Sequence, residues 1–137
     1  MEILKEIEVK KGEIIQRKGD LNSKIYAIKK GLIRTYSIDK KGKEHVFMFA
    51  PEGWIVADAA AVNGPSELYI EALEDSILQA MNAESEIAKA SPVALMKRIA
   101  ILQKRSLMLL SASAIERYED FLETYPDIVQ RVPQKMI

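Results

Sequence analysis

Cysteine is absent from the 137 residues. That excludes disulfides, thiolate zinc centres, cysteine-ligated iron–sulfur clusters and cysteine nucleophiles within this chain. Histidine occurs once, as His45, so the paired histidines that a metal-dependent jelly-roll enzyme generally needs are missing. No catalytic constellation and no metal or cofactor site is expected. Net charge is also lacking: twenty basic and twenty acidic residues cancel, and nothing in that balance marks a stretch that holds a polyanion by itself. Residues 1–45 carry twelve Lys/Arg against seven Asp/Glu, and residues 46–137 carry eight against thirteen, an asymmetry too diffuse for a DNA footprint. No apolar run approaches the roughly 20 residues of a membrane span. Residues 1–9 are charged at positions 2, 5, 6 and 8 and lack the apolar core of a secretory signal. A cytoplasmic protein with no membrane partner is the expectation. Internal repeats and low-complexity tracts are missing too.

Hydrophobic residues at 48% and charged residues at 29% suit a globular domain with a real core. From Ile3 to Asn82, short apolar runs alternate with turn residues, the pattern of a small antiparallel roll or jelly roll. Strands are predicted over Ile3–Val9, Glu13–Arg17, Lys24–Lys30, Leu32–Ile38, Glu44–Ala50, Trp54–Val56, Leu68–Leu73 and Ser76–Met81. Lys11-Gly12, Gly19-Asp20, Gly31, Asp39-Lys40-Lys41-Gly42, Pro51-Glu52-Gly53 and Asn63-Gly64-Pro65 punctuate them.

After Met81 the apolar period lengthens to three or four, with Ala, Leu, Met and Lys in place of β-formers. A short helix is predicted over Ala83–Ala90. Ser91-Pro92 then reads as an N-cap followed by proline in the first turn of a long helix. On that helix Leu95, Ile99, Leu102, Ser106 and Leu109 alternate spacings of four and three, the seam of a two-helix coiled coil, while Met96, Leu107 and Leu110 widen the apolar face. The predicted partner is a second copy of the chain in a parallel homodimer. Ser111-Ala112-Ser113 interrupts the seam as a hinge, and Ser113 with Glu116 forms a capping box for a second helix over Ala114–Thr124. Pro126 ends it.

Chemistry is thin along the chain. His45 alone on a strand is a surface or packed residue, and Glu71, Glu74 and Asp75 have no sequence-visible base, nucleophile or metal beside them. Arg34 with Tyr36, and Phe47 with Phe49, fit ordinary i, i+2 strand stripes better than a nucleotide pocket. Trp54, the sole tryptophan, is either a core plug or one wall of a pocket. Ala57 and Ala59–Ala61, between Gly53 and Ser66, leave room for backbone amides to hold an anion, although tight turns and packed alanines explain them as well.

The order of elements resembles the effector half of the cyclic-AMP receptor protein and fumarate–nitrate regulator family of bacterial transcription factors. The likeness rests on Lys11-Gly12-Glu13 with Gly19-Asp20, on Tyr26-Ala27-Ile28-Lys29-Lys30-Gly31-Leu32-Ile33-Arg34, and on Pro51-Glu52-Gly53-Trp54. It continues through Glu116-Arg117-Tyr118, Phe121-Leu122, Tyr125-Pro126 and Arg131-Val132-Pro133-Gln134. The resemblance implies three parts: a roll over 1–90, a dimerisation helix, hinge and short helix over 91–125, and over 126–137 the start of a linker to a DNA-binding helix-turn-helix domain absent from this chain. It also implies a ligand site at Gly53, Trp54, Ile55, Ser66 and Glu67, with Gln103 facing the ligand from the long helix. The family's cyclic-nucleotide members carry a glutamate after the cassette glycine and a later arginine for the cyclic phosphate. On this reading Trp54 and Ser66 occupy those two positions, and no arginine lies between Arg34 and Arg98. A cyclic phosphate would lose its bidentate partner. Any effector is then expected to be neutral or apolar, or an anion held chiefly by backbone amides. A plain dimerisation module with a filled roll is the second reading, and a cupin-type jelly-roll enzyme the third.

Overall fold

The computed structural model describes residues 5–21, 24–58, 64–82, 92–111, 113–133 and 136, without the side chains of 82, 94, 95 and 111. Among them are eight strands: β1 (Lys5–Val9), β2 (Ile14–Gln16), β3 (Lys24–Lys30), β4 (Ile33–Ile38), β5 (Glu44–Ala50), β6 (Ile55–Val56), β7 (Tyr69–Ala72) and β8 (Ser76–Asn82). Two helices follow, α1 (Pro92–Ser111) and α2 (Ala114–Thr124). The expected roll is present, mainly antiparallel β with C-terminal α. The helix predicted over Ala83–Ala90 lies outside the described residues.

The chain divides into two compact units, Met1–Ala88 and Lys89–Ile137. In the first, two four-stranded antiparallel sheets run in the orders β1-β8-β3-β6 and β2-β7-β4-β5. Neighbours in each sheet are mostly distant in sequence, so the strands wind between sheets as a jelly roll does. Alternation decides the faces. Ile33 on β4 lies opposite Ala50 on β5 and Ala72 on β7, and all three join Val9, Ile28, Val56, Ile70 and Leu78 in the core. The next row, Phe49, Arg34 and Glu71, therefore points to the opposite face of the sheet.

Several strands are shorter than their apolar runs because turns claim the ends. Trp54 falls outside β6: its N–H donates to the Pro51 carbonyl at 3.1 Å, while its own carbonyl accepts from the Ile28 N–H at 2.9 Å. Gly31, between β3 and β4, has φ of 105°, a left-handed conformation that a side chain disfavours. A Cβ there would overlap the Ser76 side chain. The Gly31 N–H donates to Glu52 at 2.8 Å, tying the β3–β4 turn to the turn before β6.

In the second unit, α1 has no acidic residue in its first turn and no basic residue in its last, so the helix dipole is not compensated by local charge. Val93, Met96, Ile99, Ile101, Leu102, Leu107, Leu109 and Leu110 are all exposed in the single chain. Ser113 caps α2 as its sequence predicts: its hydroxyl accepts from the Glu116 N–H at 3.2 Å, and the Glu116 side chain returns to the Ser113 N–H. Beyond α2, Tyr125, Ile128 and Val132 are buried.

Candidate functional site

The segment that leaves β6 and re-enters the fold at β7 is closed by one side chain. Asp58 is 7% exposed, and its Oδ2 accepts from the Glu67 N–H at 2.7 Å, the Leu68 N–H at 2.9 Å and Gln16 Nε2 at 3.3 Å. Gln16 Nε2 also donates to the Leu68 carbonyl at 2.8 Å. A short polar side chain at the exit of a two-residue strand can thus reach both amides of the returning chain and hold the loop base together. Because both neighbours of Gln16 Nε2 are acceptors, the amide orientation is fixed and Oε1 must point elsewhere.

The predicted site residues are placed as follows. The Gly53 N–H donates to the Ile28 carbonyl at 2.9 Å, with Gly53 at φ of 88°. Trp54 is partly buried and packs against the core cluster. Ile55 pairs with Ala27 across β6 and β3. Ser66, 2% exposed, donates its hydroxyl to the Arg17 carbonyl at 2.6 Å and accepts the Asp20 N–H at 3.1 Å. Its main chain also joins Gly19 and Asp20, through a Gly19 N–H bond and a bond to the Asp20 carbonyl, both 2.9 Å. The Ser66 polar groups thus hold the Gly19-Asp20 turn. Glu67 is exposed, with its amide given to Asp58. Gln103, Ile99, Leu102 and Leu109 are exposed on α1, as is Ser106; the side chain of Leu95 lies outside the description.

Sequence reasoning passed over Asp58, Gln16 and Thr35. The signal was there to use: Gln16 ends the run Glu13–Gln16 and Thr35 interrupts an apolar strand, and a polar residue inside a buried strand needs a partner. The register sets Gln16 opposite Ile70 after a bulge in β2, and Thr35 opposite Ile70 from β4. Ile70 is fully buried in the core. Gln16 Oε1 and Thr35 Oγ1 are buried with no hydrogen-bond partner.

The outer face of the β2-β7-β4-β5 sheet carries a second polar group. Arg34, 5% exposed, donates from Nε to Glu71 at 2.6 Å and from Nη1 to Glu44 at 3.0 Å. Its guanidinium lies 3.9 Å from the centre of the Tyr36 ring, which stacks on Tyr69 at 5.2 Å. Burial works against the charge on Arg34, yet its hydrogen bonds to Glu44 and Glu71 outweigh it and hold the group protonated more firmly than usual. The Arg34 and Tyr36 stripe read from the sequence is thus a cation–π and ion-pair patch. His45 Nε2 lies 2.9 Å from Asp39 Oδ2 on an exposed hairpin. Among the described residues no cluster of three or more His, Cys, Asp or Glu is placed to hold a metal ion.

Residues 6–91 match the family model of the cyclic nucleotide-binding domain. The chain is 36% identical over 70 residues to the regulatory protein HlyX of Actinobacillus pleuropneumoniae, a match covering 51% of this chain and 29% of that protein. It is 31% identical over 70 residues to the anaerobic regulatory protein of Pasteurella multocida, covering 51% of this chain and 26% of the other. The chain therefore spans only about a quarter to three tenths of these relatives. Its fold is that of a CRP/FNR-family transcriptional regulator from Thermus thermophilus, with a TM-score of 0.70 at 20% identity over 90% of this chain and 66% of that one. Roll topology and the match of residues 6–91 agree: the chain belongs to the cyclic nucleotide-binding domain family.

Proposed function

We propose that this chain is the sensory and dimerisation domain of a bacterial transcription regulator, acts in the cytoplasm, and has no enzymatic activity of its own. In this reading DNA is contacted by a separate helix-turn-helix domain of the full protein. Effector state changes how two copies of α1 pack and so how the DNA-binding domains are oriented.

The observation that carries the reading is the apolar surface of α1. Ile99, Leu102 and Leu109 are 54%, 44% and 57% exposed at seam spacing, and Met96, Leu107 and Leu110 extend the same helix into water. A soluble monomer does not keep a stripe of that length in solvent, and a two-fold axis places a stripe against its own copy. Sedimentation equilibrium is expected to show a dimer, and the double variant Ile99→Glu/Leu102→Glu a folded monomer, since four carboxylates would meet across the seam. A variant that remains dimeric would place the interface elsewhere.

Cyclic AMP is not the effector in this reading. No arginine lies between Arg34 and Arg98, and Arg34 is committed to Glu44 and Glu71. The residues of the roll proposed to border an effector are Gly53, Trp54, Ile55, Ser66 and Glu67. Isothermal titration with cyclic AMP is expected to give no heat at micromolar concentrations; a micromolar Kd would overturn this part.

A further inference from the structure

The stripe on α1 that argues for a second copy is not uniform. Leu95, Ile99, Leu102 and Leu109 are apolar, but the position between Leu102 and Leu109 in the same alternation of four and three is Ser106. It is exposed in the single chain, as are Ile99, Leu102 and Leu109. In a parallel pair of helices, residues at one level of the seam meet their own copies across the axis. Leu102 then packs on Leu102, Leu109 on Leu109, and Ser106 on Ser106. Helix axes about 8–10 Å apart leave a gap between two side chains that short. A serine layer buries almost no apolar surface, whereas a leucine layer takes two large side chains out of water. The two hydroxyls have no need to bond across the axis either, since a helical serine can return its hydroxyl to the carbonyl one turn back, here that of Leu102. Ion pairs between the helices cannot replace the missing contact, because α1 carries Lys97, Arg98, Lys104 and Arg105 and no Asp or Glu. Two copies of α1 therefore hold each other by apolar layers alone.

We propose that Ser106 sets the strength of the interface between the two copies of α1: it is the weak layer that keeps the dimer in reversible exchange with monomer. The inference rests on the proposed dimer and names the residue that limits its affinity.

Sedimentation equilibrium over a range of protein concentrations reads the dissociation constant. Wild type is expected to pass from dimer to monomer on dilution. Ser106→Leu is expected to fold, since the side chain is exposed and leucine is the better helix former. It is expected to tighten the dimer at least about a hundredfold, as two leucines leave water together. Ser106→Ala removes the hydroxyl without adding bulk and is expected to leave Kd nearly unchanged; a loss of roughly tenfold would show a hydroxyl pair bonded across the axis and overturn the weak layer. Lys104 stands two residues before Ser106, about 200° round the helix, so Lys104→Leu adds the same side chain away from the seam and is expected to tighten the dimer little. The chain has no cysteine, so Ser106→Cys introduces a single thiol. Under mild oxidation that thiol is expected to link two chains through Cβ atoms facing across the axis, and the thiol of Lys104→Cys is not. If neither wild type nor Ser106→Leu dimerises, the dimer reading falls and takes this inference with it. If wild type dimerises while Ser106→Leu binds no tighter, or Lys104→Leu tightens the dimer as much, or the thiol at position 106 does not cross-link, the dimer stands and this inference is overturned.

Discussion

At the scale of the residue, two glycines of similar backbone conformation are separated by their surroundings. Gly12 and Gly31 have φ of 87° and 105°, yet a Cβ on Gly12 would meet open space, whereas one on Gly31 would overlap Ser76. Gly12→Ala is expected to cost about 1 kcal/mol from the left-handed backbone alone. Gly31→Ala is expected to cost about 2–4 kcal/mol, because packing strain adds to the backbone term. Urea denaturation of the two variants checks the difference. Equal losses would mean that β8 yields to the methyl group. Trp54 shows the same dependence on surroundings. As a letter in the sequence it is a plug or a pocket wall; in the fold it is partly buried and packs against the core cluster of the roll.

Elements differ in how far they carry their own stability. α2 does so at its start: the capping box between Ser113 and Glu116 satisfies amides that the first turn leaves open. Ser113→Ala is expected to lose about 1 kcal/mol of helix stability, read as faster hydrogen exchange at the Glu116 amide, whose partner is the Ser113 hydroxyl. Unchanged exchange would show that the cap contributes nothing to α2. α1 has no charge in its first or last turn to offset its dipole, and Leu102, Leu107, Leu109 and Leu110 are exposed. Twenty residues of helix with an apolar surface draw their stability chiefly from a packing partner, which is why the seam, more than any local signal, argues for a second copy.

For the molecule as a whole, the tyrosines set an alkaline limit. Burial, then the charge of Asp20, raises Tyr26 above its ordinary 10.0. Burial, then Glu71, does the same for Tyr36. Each raised pKa means that the fold favours the neutral phenol. That stability is complete below about pH 10, the unfolded value, and is lost as pH rises through the higher folded value. Tm is therefore expected to hold steady from pH 7 to 9 and to fall above 10. Tyr26→Phe and Tyr36→Phe, which cannot ionise, should each flatten the decline. A profile identical to wild type in both would assign the alkaline loss to other groups.

Much of the fold was legible in the sequence itself. Turn residues every eight to twelve positions and period-two alternation located all eight strands, since a half-buried strand must alternate and a tight turn must use residues that tolerate it. Ser113 and Glu116 announced α2 because a cap is a local bond between residues three apart. The ordered motifs pointed to the family for the same reason: they are local and linear. The candidate site was less legible, because its partners are far apart in the chain. Asp58 meets Glu67 and Leu68 across a loop and Gln16 across 42 residues, and Ser66 reaches back to Arg17 and Asp20. Which amides are spent, and that Gln16 and Thr35 flank Ile70, follow from strand register. Register is a tertiary property, fixed only when two sheets bury their faces together.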